Sequence, residues 1–160
     1  MRTIKASKLT PAGFRPYGYV VSTAKGKAFL DNNEVTCWSK VSLLKVGKTA
    51  STTLLFCHKR QPIVRKLERH VRSPEVLVGL DGDSVICVAK PSSGRGAIRG
   101  IRAFYLRQGD AIAMHAGTWH YAPFPVKAKQ SKLLVLFAST TEASDLKFRD
   151  LPQEVRITGL

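Results

Sequence analysis

From residue 50 onward, short apolar segments alternate with turn signals about every eight to fifteen positions. The apolar segments are rich in β-branched and aromatic residues, which favour strands. Between them, the sequences DGD, KPSSGRG, RQGD and AGT supply the glycine and aspartate that tight turns require. Strands this short bury their apolar side chains by packing one sheet against another. The pattern therefore predicts an all-β protein, either an antiparallel barrel or a double-sheet jelly roll.

The strand candidates are TLLFC, PIVRKLERH, EVLVGL, SVICVAK, IRAFYL, AIAMHA, WHYAPF and KLLVLFAST. Helix is expected only over residues 9–14 and in the tail from about Glu142. PSSGRG is interpreted as a surface hairpin rather than a linker between domains. The 160 residues are expected to form a single domain. Residues 1–50 would add N-terminal extension strands, and residues 51–140 would carry the barrel.

The chain is strongly basic, with 26 Lys and Arg against 11 Asp and Glu and a formal charge of +15. This charge favours an anionic partner. The basic residues are scattered, and no nucleic-acid recognition motif is interleaved with them. We therefore favour a solvated surface or electrostatic steering of a small anion over binding of nucleic acid.

Several features point to a cytoplasmic protein. No segment approaches the roughly 20 apolar residues that span a bilayer, and MRTIKASKL lacks the apolar region of a secretory signal. Cys37, Cys57 and Cys87 are odd in number and widely spaced in apolar surroundings, so we expect buried free thiols in a reducing compartment. A homodimer is expected because a second subunit often covers the exposed edge strands of such barrels.

Three of the four histidines fall in two spaced motifs. In the first motif, His70 is followed after four residues by Glu75 and after six more by Gly82, and Glu68 precedes His70 by two positions. This spacing is similar to the first metal-binding motif of the cupins, G, five residues, H, one, H, three or four, E, six, G. Glu68 stands where the first histidine of that motif would be.

In the second motif, Gly109, Gly117 and His120 keep the spacing of the second cupin motif, G, five residues, P, one, G, two, H, three, N. His115 takes the place of the proline, and Phe124 takes the place of the asparagine. Both departures leave the glycines and the final histidine in register. We expect Gly117 to let the chain turn so that His120 faces the same cavity as the first motif.

The motif residues have a chemistry in common. Glu68 and His70 are two positions apart on a strand, so their side chains project from one face of it. With Glu75 and His120 they give two imidazoles and two carboxylates, a set suited to a divalent transition metal: Ni, Mn, Zn or Fe. The alternative is a set of structural histidines with Glu68 paired to neighbouring cations. We favour a clustered site, whether or not metal occupies it, and expect Trp119 and Phe124 to belong to the core.

Longer segments resemble one family within the cupins, the ureidoglycolate lyases. LTPAGFRPYGYVV at residues 9–21 is similar to the opening of that family, L-T-x-x-x-F-x-P-[FY]-G-D-V-I. LERH followed by EVLVGLDG resembles its M-E-R-H-x-x-x-S-Q-x-F-I-P-L-x-G block. IRAFYLRQGDAIAMHAGTWHYAPFP resembles its L-R-A-F-x-x-x-x-G-x-x-V-x-Y-H-x-G-x-W-H-H block. The departures are Tyr19 for aspartate, Pro74 and Glu75 for Ser-Gln, and Tyr121 for the last histidine.

The resemblance implies cleavage of ureidoglycolate, a small carboxylate, into glyoxylate and urea. Residue by residue, it implies functional positions at Glu68, Arg69, His70, His115, Trp119 and His120. Our hypothesis takes Glu68, His70, His115 and His120 as catalytic groups and Arg69, Arg102 and Trp119 as substrate contacts. Glu68, His70, Glu75 and His120 would hold the metal, and His115 would transfer a second proton at the rim. Without metal, Arg69 or Arg102 would bind the substrate carboxylate. The alternative is a divergent cupin that senses or acts on another small carboxylate.

Overall fold

The computed structural model describes residues 1–22, 27–91, 98 and 100–160. The elements of this part of the chain are β1 (Arg2–Lys5), α1 (Pro11–Phe14), β2 (Gly18–Val20), β3 (Leu30–Asp31), β4 (Thr36–Cys37), β5 (Ala50–His58), β6 (Ile63–Arg69), β7 (Glu75–Asp81), β8 (Ser84–Ala89), β9 (Arg102–Leu106), β10 (Ala111–Met114), β11 (Trp119–Pro125), β12 (Gln130–Ala138), α2 (Thr141–Ser144) and β13 (Lys147–Thr158). Helices α1 and α2 have four residues each, which is far too short to cross a membrane.

Two sheets make up the architecture. The first has six strands in the order β1-β13-β6-β11-β8-β9, and the second has five in the order β2-β10-β7-β12-β5. Neighbouring strands are antiparallel except β1 and β13, which are parallel, and β3 and β4 form a separate hairpin. The predicted all-β fold, a cupin-type jelly-roll barrel with few short helices, is confirmed.

The described residues form two hydrophobic cores that share the six-stranded sheet. One core lies between the sheets and includes Leu77 of β7 and Ile86 of β8. The other, which includes Cys87 and Trp119, lies on the opposite face of the six-stranded sheet. That sheet curls around the second core, because Ser7, after β1, forms a parallel bridge to Phe104 in β9. Successive residues of one strand therefore enter different cores, and all six residues of β8 are buried.

Two expectations about local structure are wrong, one falls mostly outside the described residues and one is confirmed. The tail from Glu142 is not mainly helical, because after α2 it forms strand β13, which pairs with β6 and covers the second core. Cys37 is exposed on the β3–β4 hairpin, whereas Cys57 and Cys87 are buried free thiols as predicted. The predicted PSSGRG hairpin falls mostly outside the described residues. The short helix near residues 9–14 is confirmed as α1, with Thr10 Oγ1 accepting from the Gly13 N–H.

Candidate functional site

A pocket of about 180 Å³ opens between the two sheets. Its ionisable lining residues are Glu68, His70, Glu75, His120 and Glu142. Apolar side chains from β5, from β12 and from the segment after α2 form much of the rest of the wall: Leu55, Val135, Phe137 and Leu146. The structure thus brings together the four residues that were expected to hold a metal, Glu68, His70, Glu75 and His120.

Strand pairing and one tight turn position these side chains. His120 of β11 and Glu68 of β6 are directly opposite each other in the antiparallel register, so their side chains share a face of the sheet. His70 follows the end of β6, and Glu75 opens β7 after a short turn. Gly117 donates its N–H to the His70 carbonyl at 2.6 Å, and its φ of +83° is one that glycine adopts without strain. A backbone hydrogen bond from the second motif therefore stabilises the position of His70 in the first.

The two imidazoles are oriented in the same way. The Nδ1 of His70 lies 2.6 Å from the Ser73 carbonyl oxygen, and the Nδ1 of His120 lies 3.0 Å from that of Thr118. A carbonyl oxygen only accepts hydrogen bonds, so each Nδ1 carries a proton and donates it. Both Nε2 atoms then point at the same carboxylate oxygen, Oε2 of Glu75, at 2.8 Å from His70 and 3.5 Å from His120.

Burial and mutual attraction shift the pKa values of three groups in the pocket, Glu68, Glu75 and His120. Burial raises the pKa of Glu68, whose side chain is 23 % exposed and whose Oε1 lies 3.8 Å from His120 Nε2. Burial acts in the same direction on Glu75, but the two imidazoles outweigh it and lower the pKa of Glu75 to about 2. Burial would lower the pKa of His120, but the Glu75 and Glu68 carboxylates raise it to about 9. The His120 imidazole and the Glu75 carboxylate therefore hold each other in their charged forms, whereas burial disfavours the charged form of Glu68.

The donor set fits a divalent metal ion. One ligand atom from each of His70, Glu75 and His120 lies within 4.8 Å of the others, and all three residues are buried. Histidine ligands of metals commonly donate their second ring N–H to a backbone carbonyl, as both imidazoles do here. Mixed nitrogen and carboxylate donors suit Ni, Mn, Zn or Fe. The described part of the chain can therefore hold a metal at this point, with Glu68 beside the three ligands.

His115 does not reach the pocket. It follows the end of β10, and its backbone N–H donates to the Tyr17 carbonyl at 2.9 Å. Its ring packs edge-on against Tyr19, with centroids 4.9 Å apart, and its Nε2 lies 3.3 Å from the Arg15 carbonyl oxygen. This loop and β2 hold His115 outside the pocket lining, away from the rim position expected for a second proton carrier.

The expected substrate contacts Trp119, Arg69 and Arg102 also lie away from the pocket. Trp119 is adjacent to His120 on β11, so it points to the opposite face, where it is 2 % exposed in the second core. The Arg69 guanidinium lies over the Trp119 ring, 4.4 Å from its centroid. Arg102 is exposed on β9. Among the described residues that line the pocket there is no lysine or arginine, so the metal-free binding of a carboxylate by these arginines lacks structural support.

The sequence motifs did not predict the two pocket residues that lie on α2. Thr141 and Glu142 of α2 line the pocket although neither belongs to a spaced motif. Their proximity to the histidines depends on how the segment after β12 folds back, and the local sequence has no signal for that path. The segment TTEAS carries hydroxyl groups and one carboxylate, and this polar composition is the one local feature that could have indicated a role in a binding site.

A buried carboxylate ties α2 to the turn between His70 and Glu75. Asp145, which follows α2 and is 4 % exposed, accepts the Arg72 backbone N–H at 2.6 Å. The Arg72 Nε lies 4.0 Å from the other Asp145 oxygen, and its guanidinium also donates to the Ser144 carbonyl at 3.0 Å. Because Arg72 lies between two pocket residues, this contact fixes the distance between α2 and the ionisable groups.

We expect Asp145→Ala to lower the free energy of unfolding by about 1–3 kcal/mol, because the partly buried Arg72 N–H loses its charged acceptor. The melting temperature would fall by about 3–10 °C in thermal unfolding followed by circular dichroism. Asp150→Ala, at an exposed aspartate of β13, is the matched control and should change stability by less than about 0.5 kcal/mol. Equal effects of the two substitutions would show that Asp145 is no anchor.

Comparisons with known proteins point in one direction. A family model described as ureidoglycolate lyase matches residues 1–158. The ureidoglycolate lyase of Pseudomonas aeruginosa is 25 % identical over 141 residues, which cover 84 % of this chain and 83 % of that protein. The ureidoglycolate lyase of Pseudomonas fluorescens is 23 % identical over 154 residues, with 92 % of both chains covered.

Among solved structures, this chain is similar to oxalate decarboxylase from Bacillus subtilis, with a TM-score of 0.43 and 18 % sequence identity. That match covers 68 % of this chain, which spans only 24 % of the decarboxylase chain. The sequence family match is the broader of the two kinds of likeness, because it extends over nearly the whole chain, from β1 to β13. This chain belongs to the ureidoglycolate lyase family.

Proposed function

We propose that this protein is a lyase that cleaves ureidoglycolate into glyoxylate and urea. The observation that carries the proposal is the convergence of Glu68, His70, Glu75 and His120 in one small pocket of a chain from this family. Ureidoglycolate is a hemiaminal, so its C–N bond breaks when the hydroxyl oxygen loses its proton and the departing nitrogen gains one. The pocket contains ionisable groups for that proton transfer.

We propose that His70, Glu75 and His120 hold a divalent transition ion, with Glu68 at its edge as a further ligand or neighbour. Such an ion supplies a Lewis acid and a positive charge that favour binding of the substrate carboxylate and ionisation of its hydroxyl. The Ser73 and Thr118 carbonyls accept the Nδ1–H of the two rings, so the Nε2 atoms face the pocket, where a metal ion would take the place of a proton on Nε2. The pocket lining is acidic, so an anionic substrate needs this compensation.

Glu68 is the proposed proton carrier. It is partly exposed, so substrate can reach it, and burial raises its pKa, which strengthens it as a base. Its carboxylate takes the hydroxyl proton as the carbonyl of glyoxylate forms and the C–N bond breaks. The electron pair of that bond goes to the ureido nitrogen, which takes the proton back from Glu68 and leaves as urea. Glu68 thus both accepts the proton and returns it, so this scheme gives His115 no role.

Removing metal is expected to abolish most of the activity. After dialysis against EDTA, glyoxylate release from ureidoglycolate should fall on the order of a hundredfold or more, because the acidic pocket then repels the substrate. Addition of Mn²⁺, Ni²⁺, Zn²⁺ or Fe²⁺ should restore it. The measurement is a glyoxylate assay on the purified protein before and after each treatment.

Full activity in the dialysed protein, with no metal detected by elemental analysis, would contradict the metal proposal and leave the lyase proposal standing. Binding of ureidoglycolate without any glyoxylate release, in the presence of each metal, would contradict the lyase proposal. That second result would favour a cupin that senses a small carboxylate, to which the Glu75 departure from the family pattern also points.

We further propose that the protein is a cytoplasmic homodimer. Strand β5 lies at the end of the five-stranded sheet order, and its outward residues Leu54 and Phe56 are 53 % and 46 % exposed. Leu54 continues into an outer row with Leu134 and Val78, its register partners on β12 and β7. A second copy paired at this edge would cover the row. Light scattering after size-exclusion chromatography would distinguish a dimer from a monomer.

A further inference from the structure

The wall of the pocket formed by α2 contains a hydroxyl with no assigned role. Thr141 lines the pocket and is 2 % exposed, and its Oγ1 has no hydrogen-bond partner among the described residues. A buried hydroxyl without a partner destabilises the folded protein, so such groups in native proteins usually have a partner in the functional state. The position in the pocket wall makes a bound ligand the natural candidate.

Helix α2 is held at a fixed distance from the histidines. Asp145 accepts the Arg72 N–H, and the Asp145 N–H donates to the Thr141 carbonyl at 3.0 Å. One residue thus joins Thr141 to the turn that carries His70 and Glu75. The Asp145 side chain accepts from the backbone of the turn, and the Asp145 backbone N–H donates to the backbone of α2, so the two contacts together position α2 itself. A ligand that extends from the histidines to α2 therefore contacts two groups of side chains whose separation is already fixed.

The α2 end of the pocket differs chemically from the histidine end. Glu142 has two acceptor oxygens and a negative charge, and the Thr141 hydroxyl either accepts or donates. A carboxylate would be repelled by Glu142. A neutral group that has several N–H donors and one carbonyl oxygen matches these side chains. Glu142 would accept hydrogen bonds from its N–H groups, and the Thr141 hydroxyl would donate to its carbonyl oxygen or accept from a further N–H.

We infer that Thr141 and Glu142 form the subsite for the ureido end of the substrate and select ligands that have such a group. The inference rests on the proposed function, since it takes the carboxylate end of the same substrate to lie against His70, Glu75 and His120. It assigns to α2 the discrimination between ureidoglycolate and simpler 2-hydroxy acids. Thr141 and Glu142 are thus specificity residues, and Glu68 remains the proton carrier.

Two small ligands that the protein would not cleave test the α2 end and the histidine end of the pocket separately. Hydantoate has a carboxylate and a ureido group but no hydroxyl, and glycolate has a carboxylate and a hydroxyl but no ureido group. Isothermal titration of the full-length protein in buffer with Mn²⁺ gives the ratio of their affinities. We expect Thr141→Val to lower the hydantoate affinity about tenfold and to leave glycolate within twofold. Thr141→Ser, which keeps the hydroxyl, should stay within about threefold for both.

Glu142→Gln provides a second variant on the exposed side of α2, where folding is not at risk. Losing a charged acceptor should weaken hydantoate relative to glycolate, and removing a negative charge should leave glycolate as tight or tighter. The ratio of affinities therefore falls in both variants. Thermal unfolding gives a further readout, because Thr141→Val removes an unpaired buried hydroxyl and should keep or raise the melting temperature.

The inference is overturned if wild-type protein does not bind hydantoate, or if both variants leave the ratio of affinities unchanged. It is also overturned if Thr141→Val weakens both probes equally, since that would mark a general change in the pocket. These results are separable from the proposed function. Glyoxylate release that is insensitive to both substitutions keeps the lyase and rejects the subsite, and a shifted ratio in a protein that releases no glyoxylate keeps the subsite and rejects the lyase.

Discussion

Replacing His120 or His70 by alanine is expected to lower kcat/KM for glyoxylate release by about 10³-fold or more. Each imidazole directs its Nε2 at Glu75 and donates its Nδ1–H to a backbone carbonyl, so alanine removes a donor atom that the backbone holds in place. Either substitution should also reduce the amount of metal that copurifies with the protein. The measurement is steady-state glyoxylate release together with elemental analysis.

His58→Ala is the matched control for this prediction. His58 is exposed at the end of β5 and lies outside both motifs and outside the pocket lining. Its replacement should leave kcat/KM within about twofold, as expected of a surface substitution. If His58→Ala and His120→Ala had equal effects on glyoxylate release, the assignment of the pocket histidines would be wrong.

Glu68→Gln is expected to lower kcat by about 10²–10⁴-fold and to change KM by only a few-fold. The amide keeps the size of the side chain and its contact with His120 but removes the proton-accepting carboxylate. Because Glu68 lies at the edge of the group formed by His70, Glu75 and His120, copurified metal should remain near the wild-type amount. The kcat loss and the retained metal together identify a proton carrier.

Glu75→Gln provides the contrast, since Glu75 is fully inside the group and is shared by both imidazoles. It should lose metal together with activity. If Glu68→Gln also loses metal in proportion to activity, Glu68 is a metal ligand rather than the base. If Glu68→Gln retains wild-type kcat, the proposed proton transfer is contradicted.

The sequence predicted the pocket well because strand geometry has a fixed period. Glu68 and His70 are two positions apart, so their side chains project to the same side wherever this segment stays extended, as it does up to the end of β6 at Arg69. His120 reaches the same place because its strand pairs with β6, with Glu68 as its direct partner. The glycine at position 117 adopts the positive φ that the second motif anticipates. Spacing along the chain was therefore sufficient to select these residues.

Other features depend on long-range packing that spacing does not encode. His115 occupies a motif position, but β2 packs against its loop and Tyr19 takes up its ring. Trp119 lies on the other face from His120, and only the curled sheet with its second core makes that face an interior. The strand β13 was missed because its charged sequence KFRDLPQEVRIT alternates poorly, although β6 and β1 pair with it on both sides.

Anomalous diffraction from crystals of the Mn²⁺-loaded protein tests the central claim, that residues distant in the chain form one metal centre. The account predicts a single strong peak in the pocket between the sheets, bonded to the Nε2 atoms of His70 and His120 and to a carboxylate oxygen of Glu75. A peak bound elsewhere on the protein, with these three side chains paired only to one another, would contradict it.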